Sequence, residues 1–448
     1  MNSIGRPFVL LALLVAGCKG GPDAQIAQMA TEVNPDHCRR IVETLAGFGT
    51  RHTMSSQDDE ARGIGAARRW LLNELEQTAV ASGGRLEVAE DSFMYGPDNN
   101  RITRPTRIVN LVATLPGTQA QSRDRLYVVS AHYDSICNDP KDAECDAPGA
   151  DDDASGVAVV LELARIMSPR SFDATIVFML VAGEEQGLIG SRHWAEQARR
   201  RGLNVAGMFT NDIVGASTGP SGRSHAQRVR VFSEGVPSDL SPEQARQLAT
   251  AGGENDSASR QLARFVHETT VDYLPGFEAT LIFRRDRYLR GGDHLPFLDN
   301  GYPAIRFTEY EENYDHQHQT PRKEDGREFG DLPRHCDFRY IANVARANLV
   351  SLATLARAPA VPENCRLMTT RLTNDTSLRW DRGAEPDLAG YEVVWRSSTA
   401  PTWEHVERVG DACEVTLPIS KDNVFFGVRA VDRAGHRSPA ATPRPARE

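Results

Sequence analysis

Residues 176–182 read IVFMLVA, a run with no polar side chain. A strand with one face in water alternates apolar and polar residues, whereas a strand covered by helices on both faces is apolar throughout. The run therefore calls for an α/β fold, and predicted helices alternate with strand-like runs from Cys38 to about Ala356. In open sheets of this kind, ligands gather at the carboxyl ends of the parallel strands. Side chains able to bind a metal follow three of these runs. "RLYVVS" leads into His132 and Asp134, "ATIVFMLVAG" into Glu184 and Glu185, and "GMFTN" into Asp212.

A fourth contribution comes from "PGADDDASGVAVVLELA", in which Asp151, Asp152 and Asp153 stand together with no Lys or Arg in the stretch. Adjacent carboxylates repel one another and need positive charge nearby. The N-terminus of the helix that follows, with Val157, Val160, Leu161 and Ala164 on one face, supplies part of it. The remainder is met by solvent in a plain capping cluster, or by a divalent cation. Asp151, Asp153, Ser155, Gly156 and Glu162 also match the spacing of a calcium-binding EF-hand loop, but Pro148 and Gly149 oppose the entering helix such a loop needs. "NYDHQHQTP" offers a late histidine, His316 or His318. Imidazole and carboxylate donors together suit zinc, and by ligand type also Mn or Co.

With 448 residues the chain is long enough for two domains, and its formal net charge of -10 argues against a nucleic-acid partner. Residues 1–17 have the layout of an export signal: one Arg, an apolar stretch over residues 8–16, then small residues. Val15-Ala16-Gly17-Cys18 resembles a bacterial lipobox, which makes Cys18 the candidate lipidation site and a lipid anchor the only membrane attachment. The expected product is exported, either anchored at the cell envelope or secreted, with residues 18–34 as a polar tether. Setting Cys18 aside leaves six cysteines in an oxidising compartment. Cys137 and Cys145 bracket a short loop, Cys365 and Cys413 both lie in the C-terminal part, and Cys38 with Cys336 form the third pair by elimination. Residues 35–357 read as the first domain, and residues 358–364, interrupted by Pro359 and Pro362, as a linker. Residues 365–445 change to short strands with turn-rich connections, as in a β-sandwich. The strands carrying Trp380 and Tyr391, with "VRAVDRAGHRS", resemble a fibronectin type III domain, without a catalytic constellation.

Taken in order, "AHYDS", "PGADDDASG", "AGEEQGLIGS", "NDIVG", "GGDHLPFLDNGYPAIRF" and the late histidine resemble the di-zinc aminopeptidases of the aminopeptidase Y and bacterial leucyl aminopeptidase type. The resemblance implies a three-layer α/β domain with a mixed, mainly parallel central sheet. It also implies two Zn2+ per chain, with Asp152 bridging them, His132 and Asp212 on one ion, and Glu185 and His318 on the other. His318 is preferred to His316 because Gln-Thr-Pro follows it. Asp134 would orient the His132 ring, Glu184 would be the general base, and a cis peptide would follow Asp152. Asp293 and His294 would support the site from behind, and Tyr288 is a candidate for steadying the oxyanion. His52, His193, His225 and His405 read as structural. The implied reaction is hydrolysis of the peptide bond next to a free N-terminus. Glutaminyl cyclases, carboxypeptidases and non-enzymatic binding proteins are the alternatives on such a scaffold. Residues 215–287 are expected to build part of the specificity wall.

Overall fold

The computed structural model describes residues 21–98, 100–238 and 240–447. One eight-stranded sheet organises the chain up to Arg357. Its strands are β1 (Glu87–Tyr95), β2 (Thr106–Leu115), β3 (Arg125–His132), β4 (Thr175–Val181), β5 (Asn204–Asn211), β6 (Arg228–Ser233), β7 (Glu278–Ile282) and β8 (Ala304–Thr308), in the spatial order β1-β2-β4-β3-β5-β8-β6-β7. The central four, β4, β3, β5 and β8, run parallel to one another, while the pairings of β1 with β2, β2 with β4, and β6 with β8 are antiparallel. The fold is therefore α/β with a mixed sheet whose centre is parallel.

Helices α1 (Ala24–Thr31), α2 (Pro35–Gly47), α3 (Ile64–Ala81), α4 (Ala154–Met167), α5 (Ile189–Arg200), α6 (Pro242–Thr250), α7 (Ala258–Tyr273), α8 (His294–Asp299) and α9 (Phe338–Arg357) surround it. Every residue of β4 is buried, as its unbroken apolar run requires. Ile176, Phe178 and Leu180 pack in the core that contains α4 and α9, whereas Val177, Met179 and Val181 pack on the other face with Ala195 of α5 and Phe297 of α8. The expected single apolar face of α4 is too narrow a description. All of its residues except Arg165 are buried, because α2, α3 and α9 cover the side turned away from the sheet. Asp153 starts this helix by accepting the Gly156 N–H at 3.0 Å. At Gly156 a Cβ would lie 2.3 Å from the Asn211 carbonyl oxygen, so only glycine lets α4 approach the end of β5 this closely.

The segment expected to be a tether is in part a packed helix. Asp23 caps α1, whose Ile26 and Met29 are fully buried. The export signal and Cys18 lie outside the described residues.

A hairpin of β9 (Arg322–Glu324) and β10 (Arg327–Phe329) follows the last strand of the sheet. Beyond α9, β11 (Arg366–Met368), β12 (Thr376–Arg379), β13 (Leu388–Ser397), β14 (His405–Gly410), β15 (Glu414–Leu417), β16 (Val424–Asp432) and β17 (Arg444–Ala446) form two sheets, β15-β12-β11-β17 and β14-β13-β16. Leu378, Trp380, Tyr391, Val393, Phe426 and Val428 share their core.

Of the three expected disulfides, the structure forms Cys137–Cys145, with Cα atoms 6.5 Å apart. The other two pairs are not formed. Cys38 is buried on the inner side of α2 among Glu162, Arg165 and Arg346, while Cys336 lies behind Asp151 and Gly215. Cys365 turns its thiol towards the Pro362 carbonyl at 3.5 Å, and Cys413 stays unbridged.

The linker is not slack, and the C-terminal sandwich is fixed to the first domain. Arg125 of β3 donates to the Ala358 carbonyl at 2.6 Å and to Glu385 at 3.2 Å. Asp256 accepts Arg264 of α7 at 3.0 Å and both its oxygens meet Arg396 of β13, at 2.9 and 2.8 Å, with all three side chains at most 2% exposed. Removing one member of a buried ion triad leaves charge stranded away from water. Asp256→Ala is therefore expected to cost about 3–5 kcal/mol and to lower the melting temperature in calorimetry. Replacing the whole triad by apolar residues of similar volume should cost less.

Candidate metal centre

The carboxyl ends of the parallel strands bring the expected residues together. β3 ends at His132, with Asp134 two residues on; Glu184 and Glu185 follow β4, and Asp212 follows β5. Asp152 sits in the turn before α4, and His318 in the loop between β8 and β9. The donor atoms of His132, Asp152 and Asp212 all lie within 4.8 Å of one another, and so do those of Asp152, Glu185 and His318. Asp152 belongs to both groups. Its Oδ1 is 3.1 Å from His132 Nε2, its Oδ2 is 2.9 Å from His318 Nε2, and His318 Nε2 is 3.1 Å from Glu185 Oε1. His132, Glu184 and Glu185 form a further group of the same tightness.

Three carboxylates hold this arrangement by accepting backbone N–H groups from the converging ends. Asp134 accepts from Glu184 at 3.3 Å and Glu185 at 3.2 Å, takes the Thr53 hydroxyl at 3.1 Å, and stands beside the His132 ring, whose Nδ1 is 3.1 Å from the Asp134 carbonyl oxygen. Asp153 accepts from His132 at 3.1 Å, Gly156 at 3.0 Å and Ile213 at 3.4 Å. Asp331 accepts from Asp151 and Asp152, both at 2.8 Å. The Asp152–Asp153 peptide is cis. Beneath the turn, the fully buried Arg51 donates to the carbonyls of Tyr133 at 2.7 Å, Gly149 at 2.8 Å and Leu45 at 3.1 Å.

The protein's own groups leave the cluster short of positive charge. Burial, reinforced by the charges of Asp212, Glu185 and Asp293, pushes the Glu184 carboxyl well above its usual range. Burial likewise raises Glu185 and Asp153, and brings Asp293 to about 7. At Asp152 burial also opposes charge, but hydrogen bonds from His132 and His318 outweigh it and hold the carboxyl well below its usual range. At His132 and His318 burial disfavours the imidazolium, yet the surrounding carboxylates raise both well above the ordinary histidine value. Carboxyls driven towards neutrality beside imidazoles driven towards charge form a setting that a bound divalent cation would relieve. Histidine and carboxylate donors, in this electrostatic setting, fit divalent metal.

Not every expected residue joins the cluster. Tyr288 is 81% exposed with the Arg284 guanidinium 3.4 Å over its ring, so it does not face the metal donors. His316 stacks on His335 with ring centroids 3.8 Å apart, which leaves His318 as the histidine that reaches Asp152. Asp293 and His294 are both fully buried. His294 Nε2 is 2.9 Å from the Arg285 carbonyl oxygen, and burial lowers its pKa to about 4. The calcium spacing is not realised, because Glu162 points away to accept Asn34 N–H at 2.7 Å and to pair with Arg165. His193, His225 and His405 stack on Phe93, Tyr310 and Trp395, while His52 meets the Pro140 carbonyl.

Sequence reasoning missed Arg51, Thr53, Asp331, Gln317 and Arg306. Arg306 carried a usable signal, since an arginine inside the apolar strand "AIRF" must find a buried anion. It pairs with Asp212 at 2.8 Å. Asp331 matters for a different reason, as the acceptor for the Asp151–Asp152 backbone. Asp331→Ala is expected to lower metal affinity about 10- to 100-fold, measured as metal retained against a graded chelator, with thermal melting as the control for folding.

Residues 110–333, which contain every one of the clustered side chains from His132 to Asp331, match peptidase family M28. A probable zinc metalloprotease of Pyricularia oryzae is 48% identical over 430 residues, covering 95% of this chain and 85% of its own length. Another, from Leptosphaeria maculans, is 46% identical over 424 residues, covering 95% and 98%. Coverage of this extent runs into the C-terminal sandwich. The LapA aminopeptidase of Legionella pneumophila shares the fold with a TM-score of 0.51 at 19% identity, over 73% of this chain and 74% of that one. The aminopeptidase from Aneurinibacillus sp. strain AM-1 does so with a TM-score of 0.50 at 16% identity, over 74% and 96%. A converging set of metal donors lies inside the matched stretch, and zinc metalloprotease relatives align along nearly the whole length. The protein is therefore a metallopeptidase hydrolase, and the chain belongs to peptidase family M28.

Proposed function

We propose that the protein is an exported aminopeptidase that works with two zinc ions and uses Glu184 as general base. The observation that carries this reading is the double engagement of Asp152, whose two oxygens face two different donor sets. His132 and Asp212 would hold one ion, Glu185 and His318 the other, with Asp152 between them. When bound, zinc supplies Lewis acidity, which acidifies water and polarises the scissile carbonyl.

The remaining work falls to the chain's own residues. Glu184 lies beside a ligand without being needed as one, and its backbone is tethered by Asp134. Burial raises its affinity for a proton and the His132 charge opposes that rise, a setting in which the carboxyl would take a proton from the attacking water and pass it to the leaving amine. Asp134 fixes the His132 ring and the two glutamates together. The surplus of carboxylates favours a substrate that arrives with a free ammonium group, and two fold-sharing proteins are aminopeptidases.

Export is supported by the N-terminal apolar stretch with Val15-Ala16-Gly17-Cys18 and by the Cys137–Cys145 disulfide, a bond suited to an oxidising compartment. The lipobox makes an anchored lipoprotein the preferred form. The C-terminal sandwich fits a fibronectin type III domain in its paired sheets and in the edge-on packing of Trp380 against Tyr391, 5.4 Å between centroids.

Glu184→Gln is expected to retain two zinc ions per chain by elemental analysis while kcat falls about 10²- to 10⁴-fold; substantial surviving turnover would remove Glu184 as base. Asp152→Asn should lose zinc instead. Matched peptides with free and acetylated N-termini, assayed with and without a zinc chelator, test the class of reaction. Cleavage confined to free amines and abolished by the chelator is the expected result, and equal cleavage of blocked peptides would overturn it.

A further inference from the structure

We propose that a cavity of about 410 Å³, lined by Arg284, Arg285, Asp286, Arg287, Arg290 and Leu295, is a subsite for a carboxylate of the peptide substrate. The inference rests on the aminopeptidase reading and adds the substrate's charge to it. The cavity borders the metal donors on two sides. On one, Arg290 Nη1 donates to Gln317 Oε1 at 3.0 Å, and Gln317 Nε2 donates to Asp152 Oδ2 at 2.9 Å, so a single carboxamide separates the cavity wall from the shared carboxylate. On the other, Asp286 is 3.4 Å from Arg306 Nη1, and Arg306 Nη2 is 2.8 Å from Asp212. A group held in the cavity is thus within about two to three amino-acid residues of the reacting centre, given a rise of about 3.3 Å per extended residue.

The lining is rich in guanidinium groups, of which Arg284 alone has no carboxylate partner among the described residues. Four guanidinium groups face one lining carboxylate. Glu312 is shared among Arg230 at 2.8 Å, Arg287 at 2.7 Å and Arg290 at 3.2 Å, while Arg285 pairs with Glu234 and Asp299. Arg284 rests on the Tyr288 ring. A guanidinium presents a planar fork of donors that matches a carboxylate in two-point contact. Tyr288 and Leu289, 81% and 107% exposed, add an apolar rim beside it. Exposed aromatic surface next to a free guanidinium explains the position of Tyr288 better than a part in stabilising an oxyanion. In a peptide, the matching carboxylate is either the side chain of Asp or Glu, or the terminal carboxylate of a very short chain.

The test compares kcat/KM for peptide pairs that differ only as Glu against Gln at the first or second residue, or as free against amidated C-terminus, using the zinc-loaded enzyme. The carboxylate member of at least one pair should be favoured about tenfold, and the preference should shrink as salt is added. A Glu-over-Gln ratio identifies a side chain as the ligand, and a free-over-amidated ratio identifies the terminal carboxylate. Arg284→Gln should bring the ratio close to one, and Arg284→Glu should turn it in favour of a Lys peptide, with melting curves showing that both variants fold. Should either variant unfold, the wild-type ratios and their salt dependence decide. Equal rates for every pair overturn the subsite and leave the aminopeptidase intact. Failure of the wild-type enzyme to cleave any free-amine peptide overturns both.

Discussion

Asp152 presents one oxygen to each of two imidazoles, and the surrounding structure serves to keep that carboxylate buried. Burial of an anion is unfavourable unless charge and hydrogen bonds compensate it. Here the compensation is layered: His132 and His318 touch the side chain, Asp331 holds its backbone, and Arg51 neutralises the turn from below. The same logic explains why so many other acids surround it. Asp134, Asp153 and Asp331 spend their oxygens on backbone N–H groups at the ends of different elements, so the acids that burden the site electrostatically are also what joins its pieces.

That dual use sets how much could be read from the chain alone. The unbroken apolar run of β4 announced a strand covered on both faces, and the donors at the ends of β3, β4 and β5 announced where a ligand would gather. These signals are local: each is a run of residues followed by a polar side chain. Asp331 and Thr53 gave no such signal, because their partners are 179 and 81 residues away. Two of the three expected cysteine pairs are not formed, for the related reason that counting thiols ignores direction. Cys38 faces inward from α2 and Cys336 faces Asp151, and no spacing rule contains those orientations. Tyr288, the oxyanion candidate, lies exposed under the Arg284 guanidinium, a direction of a loop side chain that no sequence pattern contains. The first helix escaped because only Ile26, Met29 and Ala30 mark its inner side within a polar stretch.

The arginine-rich loop after β7 illustrates a second kind of information that patterns carry poorly. "FRRDRYLRGGDH" carries four arginines, yet Arg287 is largely withdrawn from water and shared between Asp286 and Glu312. A charge count along the chain cannot distinguish guanidinium groups already engaged from those still open, whereas the folded arrangement separates Arg284 from the others.

The way Asp256 receives one arginine from the catalytic half and another from the sandwich has a bearing on how such chains can be cut and rearranged. Trimming the C-terminal part would remove Arg396 from Asp256 and Glu385 from Arg125, opening two dry, charged surfaces to solvent at once. The catalytic half is therefore poorly suited to being shuffled as a free-standing module, and its β-rich companion behaves as a structural flank of the enzyme rather than a detachable passenger.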